Sequence, residues 1–220
     1  YADFHVHTRF SPCGDDEATL AAMIERAEAK GLTALGFADH VTPAAVPGCG
    51  FYDGQQIGVL VEERAVLDVL IRDLLKSGSG SPRLELLLGV EADYTLAGAG
   101  CLDAEIVELV DHVICSASHF HLPTAPAPDA DTPHARAELM VDLAREMLWL
   151  DGVSVWAHPF DCSAMRPLAP IMAEIDTATR VELIELANER EVAIEINGGP
   201  GRDPAYRAAT SDFFNLAREM

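Results

Sequence analysis

Asp3-Phe4-His5-Val6-His7-Thr8 opens the chain with two histidines one residue apart. In an extended strand, residues i and i+2 point to the same face, so this stretch presents two imidazoles side by side. Two neutral imidazoles so placed suit a divalent ion of the zinc, iron, manganese or nickel kind. A half-buried strand can also carry two histidines for no metallic reason, so the rest of the chain decides. Histidines recur at the ends of apolar, strand-like runs: Leu35-Gly36-Phe37-Ala38-Asp39-His40, Val113-Ile114-Cys115-Ser116-Ala117-Ser118-His119 and Val153-Ser154-Val155-Trp156-Ala157-His158. A further run, Leu86-Leu87-Leu88-Gly89-Val90-Glu91, ends in a carboxylate. Metal-ligand residues at successive strand ends point to a site.

Around this stretch, strand-like and helix-like segments alternate. The pattern predicts strands over Phe4–His7, Leu35–Ala38, Leu84–Ala92, Val113–Ala117, Val153–Ala157 and Val192–Ile196. Helical spacing is read over Asp16–Lys30, where Leu20, Met23, Ile24 and Ala27 line one face and Gly31 stops the helix. Further helical patterns cover about Gln56–Lys76, Asp103–Val110, His134–Leu150, Leu168–Arg190 and Pro204–Met220. Thr42–Gly54, Ser77–Pro82 and His121–Pro133 read as loops, and no internal repeat or clear interdomain linker appears. Alternating βα units with nearly continuous apolar strands imply a parallel sheet covered by helices. Functional groups at the C-terminal ends of successive strands fit a closed or nearly closed βα barrel. An open doubly wound sheet would concentrate them at one switch point. A single α/β domain over residues 1–220 is expected.

The 220 residues suffice for one sizeable core, and 49% hydrophobic content with no long uncharged apolar run indicates a soluble globular chain without a membrane span. The formal net charge of −21 disfavours a basic groove for nucleic acid. Bound divalent ions can still make one pocket locally positive. Cys13, Cys49, Cys101, Cys115 and Cys162 form no Cys-x-x-Cys pair. Reduced thiols and a cytoplasmic setting are therefore expected.

As an ordered set, these motifs resemble the PHP family, named for polymerase and histidinol phosphatase. His5-Val6-His7-Thr8 resembles its first motif, Ala38-Asp39-His40 its second and Gly89-Val90-Glu91 its bridging carboxylate. Ser118-His119 and Ala157-His158-Pro159 are similar to its later histidine motifs. The resemblance implies a distorted (β/α)7 barrel and a site of two or three divalent ions (zinc, manganese or iron) that hydrolyses phosphate esters.

Carried over by position, the resemblance implies one metal on His5, His7 and Glu91, and a second on Glu91, His119 and His158. It implies a third on His40 and the residue six after His7. Many three-metal members have histidine there; this chain has Cys13, which can ligate as a thiolate with altered metal preference or serve as an ordinary loop thiol. The family closes its site with Asp-x-His after the last strand. No such motif follows Ile196, and Ser211-Asp212-Phe213-Phe214 lacks the histidine and falls in a helical pattern. A last strand beyond Met220 is expected, the alternative being a degenerate member.

Catalysis is assigned to the metal-site residues His5, His7, Glu91, His119 and His158. Arg9 and Arg202 are the phosphate-orienting candidates, since guanidinium matches phosphate oxygens in bidentate fashion. Asn197 at a strand end is a third substrate-binding candidate. Asp39 either supports its neighbour His40 or points away across the strand. His121 either touches the site or is a loop histidine, and His112 and His134 are expected to be structural or solvated. The expected function is metal-dependent hydrolysis of a small phosphorylated metabolite, histidinol-phosphatase-like. The alternatives are a nuclease or nucleotide phosphodiesterase, and a degenerate metal-binding regulatory domain.

Overall fold

The structure, a computed structural model, describes residues 1–11, 13–41, 57–77, 84–94, 102, 104–122, 125–198 and 202–220. The loop expected over Thr42–Gly54 lies outside the described residues, as does most of the Ser77–Pro82 break. The chain divides into two compact units, Tyr1–Ala92 with Gly100–Ile114, and Asp93–Ala99 with Cys115–Met220.

In the first unit β1 (Ala2–Val6), β2 (Ala34–His40) and β3 (Glu85–Asp93) run parallel in that order, alternating with α1 (Leu20–Lys30), α2 (Ile57–Ser77) and α3 (Ala104–Leu109). The β2–β3 register runs unbroken from Ala34 opposite Glu85 to His40 opposite Glu91. Strand alternation then sorts the side chains. Leu35 and Phe37 share one face with Leu86 and Leu88, and these four pack with Leu20, Ile24 and Ala27 of α1 and Leu67 of α2. The opposite face carries Gly36, Ala38 and His40 beside Gly89 and Glu91. β2 and β3 thus each have a helix-covered face and a face that ends in a ligand-type residue.

The two glycines have a packing reason. The His112 ring lies over them, its Nε2 bonded to the Phe4 carbonyl at 2.9 Å. A Cβ on Gly89 would stand 2.3 Å from that ring, and one on Gly36 would stand 2.8 Å away. His112 is therefore a structural residue, as expected, and burial pushes its pKa down.

α1 starts at Leu20 and not near Asp16, because Thr19 caps it by accepting the Ala22 N–H at 3.2 Å. Residues 8–11 and 13–18 are instead turns and irregular backbone, with Arg9 N–H bonded to the Ala18 carbonyl at 2.9 Å. At the other end Gly31 adopts φ 70°, and its N–H satisfies the last carbonyls.

In the second unit β5 (Val155–Trp156) and β6 (Ala193–Ile194) pair in parallel. The Ala157 N–H reaches the carbonyl of Cys115, in β4 (His112–Ser116), at 2.9 Å. Its helices are α4 (Pro133–Leu148), α5 (Leu168–Glu174), α6 (Thr177–Glu189) and α7 (Pro204–Glu219). The one helical stretch expected over Leu168–Arg190 is thus two helices. Ile175 and Asp176 are extended, and the Asp176 side chain caps α6 by accepting the Thr179 N–H at 2.7 Å. Trp156, Phe160 and Phe213 form a buried edge-to-face cluster with centroids 5.0–5.6 Å apart. Among the described residues no helix is long and apolar enough to cross a membrane.

Gly89→Ala should destabilise the protein by about 1–3 kcal/mol, as overpacking does, although glycine-to-alanine in a compatible strand position would stabilise it. Added to His112→Ala, the same change should cost far less. Urea denaturation of the two single variants and the double variant checks this; strictly additive losses would show that the ring is not the obstacle.

Candidate metal centre

The β2–β3 register puts His40 beside Glu91, and β1 with the residue that follows it delivers His5 and His7 next to them. A register irregularity between Asp3 and Val6 lets the end of β1 re-aim its side chains. One atom, Glu91 Oε2, is approached by three imidazole nitrogens: His5 Nε2 at 3.0 Å, His7 Nε2 at 3.3 Å and His40 Nε2 at 3.3 Å. Glu91 is 2% exposed, so its charge must be met by neighbours and not by water.

Cys13 joins this group. Ligand atoms of His7, Cys13 and His40 lie within 4.8 Å of one another, and the His7 and His40 rings are stacked, their planes 17° from parallel. Burial alone would push the Cys13 thiol up, but hydrogen bonds from His40, His7 and Ser11, with the charge on His7, draw it down to about 5. Burial likewise disfavours charge on His7, yet Cys13 and Glu91 outweigh it and raise the imidazole to about 9. An anionic sulfur between imidazoles is a ligand set for a divalent ion.

Asp39 lies on the helix-covered face of β2, away from His40. It accepts the Thr8 N–H at 2.6 Å and the Thr8 hydroxyl at 2.5 Å, and stands 3.9 Å from His7 Nδ1. From α2, the fully buried Glu63 reaches the same Thr8 hydroxyl at 3.3 Å. Burial, then the hydrogen bond and negative charge of Asp39, push the Glu63 carboxyl well above the carboxylate range, so it is protonated at neutral pH. Sequence reading missed Glu63, whose signal was a carboxylate on the Leu60-Leu67-Leu70 stripe of a helix.

The second unit brings His119 and His158 together, their rings stacked 5.0 Å apart. His119 Nδ1 contacts the buried Asp93 carboxylate, and Ser118 Oγ lies 3.3 Å from His158 Nδ1. The His158 N–H donates to Glu195 at 2.7 Å, and Asn197 donates to the other oxygen of that carboxylate at 3.2 Å. His158 and Phe160 hold positive φ (26° and 63°), a strained turn fastened by the Tyr206 hydroxyl to the Pro159 carbonyl at 2.9 Å. Asp93 and Glu195 were missed. Asp93 repeats with Glu91 the i, i+2 spacing that singled out His5 and His7.

The remaining candidates are placed differently. Arg9 and Arg202 are exposed, and Arg9 lies over the Phe10 ring. His121 is exposed with its ring 5.3 Å from that of His119, and His134 is solvated between Glu138 and Glu174.

The model of the PHP domain matches residues 3–198. The chain belongs to the PHP family. A solved structure of histidinol phosphate phosphatase from Lactococcus lactis subsp. lactis Il1403, complexed with zinc, L-histidinol and phosphate, is similar to it. The TM-score is 0.65 at 17% identity, over 99% of this chain and 81% of that one. No curated protein matches with significance. The likeness bears out the expected fold, a distorted α/β barrel of the PHP type, and the PHP chain is a metal-dependent phosphoesterase.

The protonated Glu63 gives a pH test. A carboxyl with a raised folded-state pKa contributes most stability below its unfolded value of 4.5 and loses it as pH rises toward the folded value. Glu63→Gln removes that titration. The stability of this variant relative to wild type should therefore increase from about pH 5 to about pH 8. Denaturant midpoints at both pH values check it; a constant difference would mean Glu63 is ionised when folded.

Proposed function

We propose that this PHP protein hydrolyses a small phosphomonoester with the help of two or three divalent ions, as histidinol phosphate phosphatase acts on its substrate. The convergence of three imidazole nitrogens on Glu91 Oε2 carries the reading. A carboxylate with two oxygens can serve two ions at once, and the imidazoles complete their shells.

The family motifs assign His5, His7 and Glu91 to one ion, Glu91, His119 and His158 to a second, and Cys13 with His40 to a third. The proximity of His7 to both Cys13 and His40 favours His7 as a shared neighbour of the first and third. When bound, such ions supply a nucleophilic hydroxide near neutral pH and positive charge against the phosphate oxygens. The protein's own groups orient and hold. Asp93 grips one nitrogen of His119, which fixes the direction of the other. Glu195 fixes the backbone at His158. Arg9, Arg202 and Asn197 are the candidates for holding the phosphate.

A small substrate is favoured over nucleic acid by 36 acidic against 15 basic side chains, since polyanion binding requires many cationic contacts. A cleft of about 440 Å³ beside Phe120, lined by Ala125, Pro126, Met165 and Arg136, has room for a modest organic group. Zinc is the first ion to test, with manganese and iron next.

Glu91→Gln keeps the shape but removes the negative charge. It should lower phosphomonoesterase kcat by at least ~100-fold, the scale of losing a major electrostatic element, and reduce bound metal in parallel. A panel of small phosphomonoesters and short oligonucleotides, run with metal analysis, checks this. Faster cleavage of the oligonucleotides would instead favour a nuclease.

A further inference from the structure

We propose that His7, Cys13 and His40 form a sulfur-bearing metal site that selects a thiophilic divalent ion, zinc above all, over manganese or magnesium. The inference rests on the metal-dependent reading above but not on the identity of the substrate.

The geometry is that of a built site. Ligand atoms sharing a tetrahedral ion at 2.0–2.3 Å stand about 3.5 Å apart, so atoms within 4.8 Å of one another need to close by only about 1 Å. The loop carrying Cys13 is shaped for this approach. Ser11 N–H bonds the Thr8 carbonyl at 3.1 Å, and Gly14 N–H bonds the Ser11 carbonyl at 2.8 Å. A Cβ on Gly14 would stand 1.8 Å from the Thr8 carbonyl oxygen, so only glycine permits the turn. The hydroxyl of Ser11, which is 4% exposed, meets the Cys13 thiol, the His7 ring and the backbone of His40. It lies 3.3 Å from Cys13 Sγ, 3.3 Å from His7 Nδ1 and 3.4 Å from the backbone nitrogen of His40, whose N–H donates to it. An ordinary loop thiol would have no reason to be tied to both histidines through one buried hydroxyl.

The donor set then dictates the ion. Thiolate is soft and carries a full negative charge, which suits zinc, cobalt and ferrous iron, whereas magnesium and manganese favour oxygen donors. A histidine at position 13 would leave an all-imidazole set of broader taste. The cysteine therefore acts as a specificity determinant for the metal.

Cobalt reads this out directly, because a thiolate ligand produces a sulfur-to-cobalt charge-transfer band in the near ultraviolet. The full chain, stripped with a chelator and titrated with cobalt, should develop that band. Cys13→Ser should lose it and bind zinc at least ~10-fold more weakly, no less than the loss of an outer-shell partner costs. Cys13→His, which restores a third ligand, should bind cobalt without the band. Its zinc-over-manganese ratio in competition titrations should fall by about 10-fold or more. Cobalt bound to wild type without the band overturns the proposal. So does a band that survives in Cys13→Ser, or an unchanged zinc-to-manganese ratio in Cys13→His. Phosphoesterase activity enters none of these readings, so a wrong substrate assignment would leave them intact.

Discussion

A carboxylate buried at the end of β3 is the constraint on which the first unit turns. Glu91 is shut away from solvent, and a buried charge without partners is among the most costly features a core can contain. Its partners are three histidines brought from two other strands. Parallel pairing supplies His40, because the unbroken register fixes it opposite Glu91. The irregular end of β1 supplies His5 and His7. The same cluster that offsets the charge is the one suited to divalent ions, so stability and chemistry share residues.

The two faces of the strands have separate duties. The face toward the helices is apolar until its last member, Asp39, which meets Thr8 and the protonated Glu63. That polar knot sits one residue from His7 and one from His40 and fixes the backbone that presents both. On the opposite face Gly36 and Gly89 leave room for the ring of His112, the first residue of β4, which bonds to the Phe4 carbonyl of β1. Small residues and a half-buried histidine thus brace the strands just below the ligands.

The second unit uses a different device. His158 stands on a turn with positive φ at two non-glycine residues, a conformation that neighbours must enforce. Glu195 and Tyr206 do so through the backbone, and the Trp156-Phe160-Phe213 cluster holds the flanks. His119 is held at its side chain instead, by Asp93.

The sequence by itself was enough to read the alternation of strands and helices, the family, and the strand-end histidines with Glu91. Those features follow from local periodicity and from residue types whose chemistry is specific. It also marked Cys13 as a departure, and left open whether the thiol meets the histidines. Only the tertiary structure decided that, since a loop of linked turns around Gly14 has no period to read. The same holds for Glu195, which looks like an ordinary surface acid in one dimension. The capping of α6 by Asp176, inside what reads as one helix, was hidden because apolar spacing continues across the break. What a side chain touches depends on which strand or helix is opposite it, and that is fixed by register and packing across long separations along the chain.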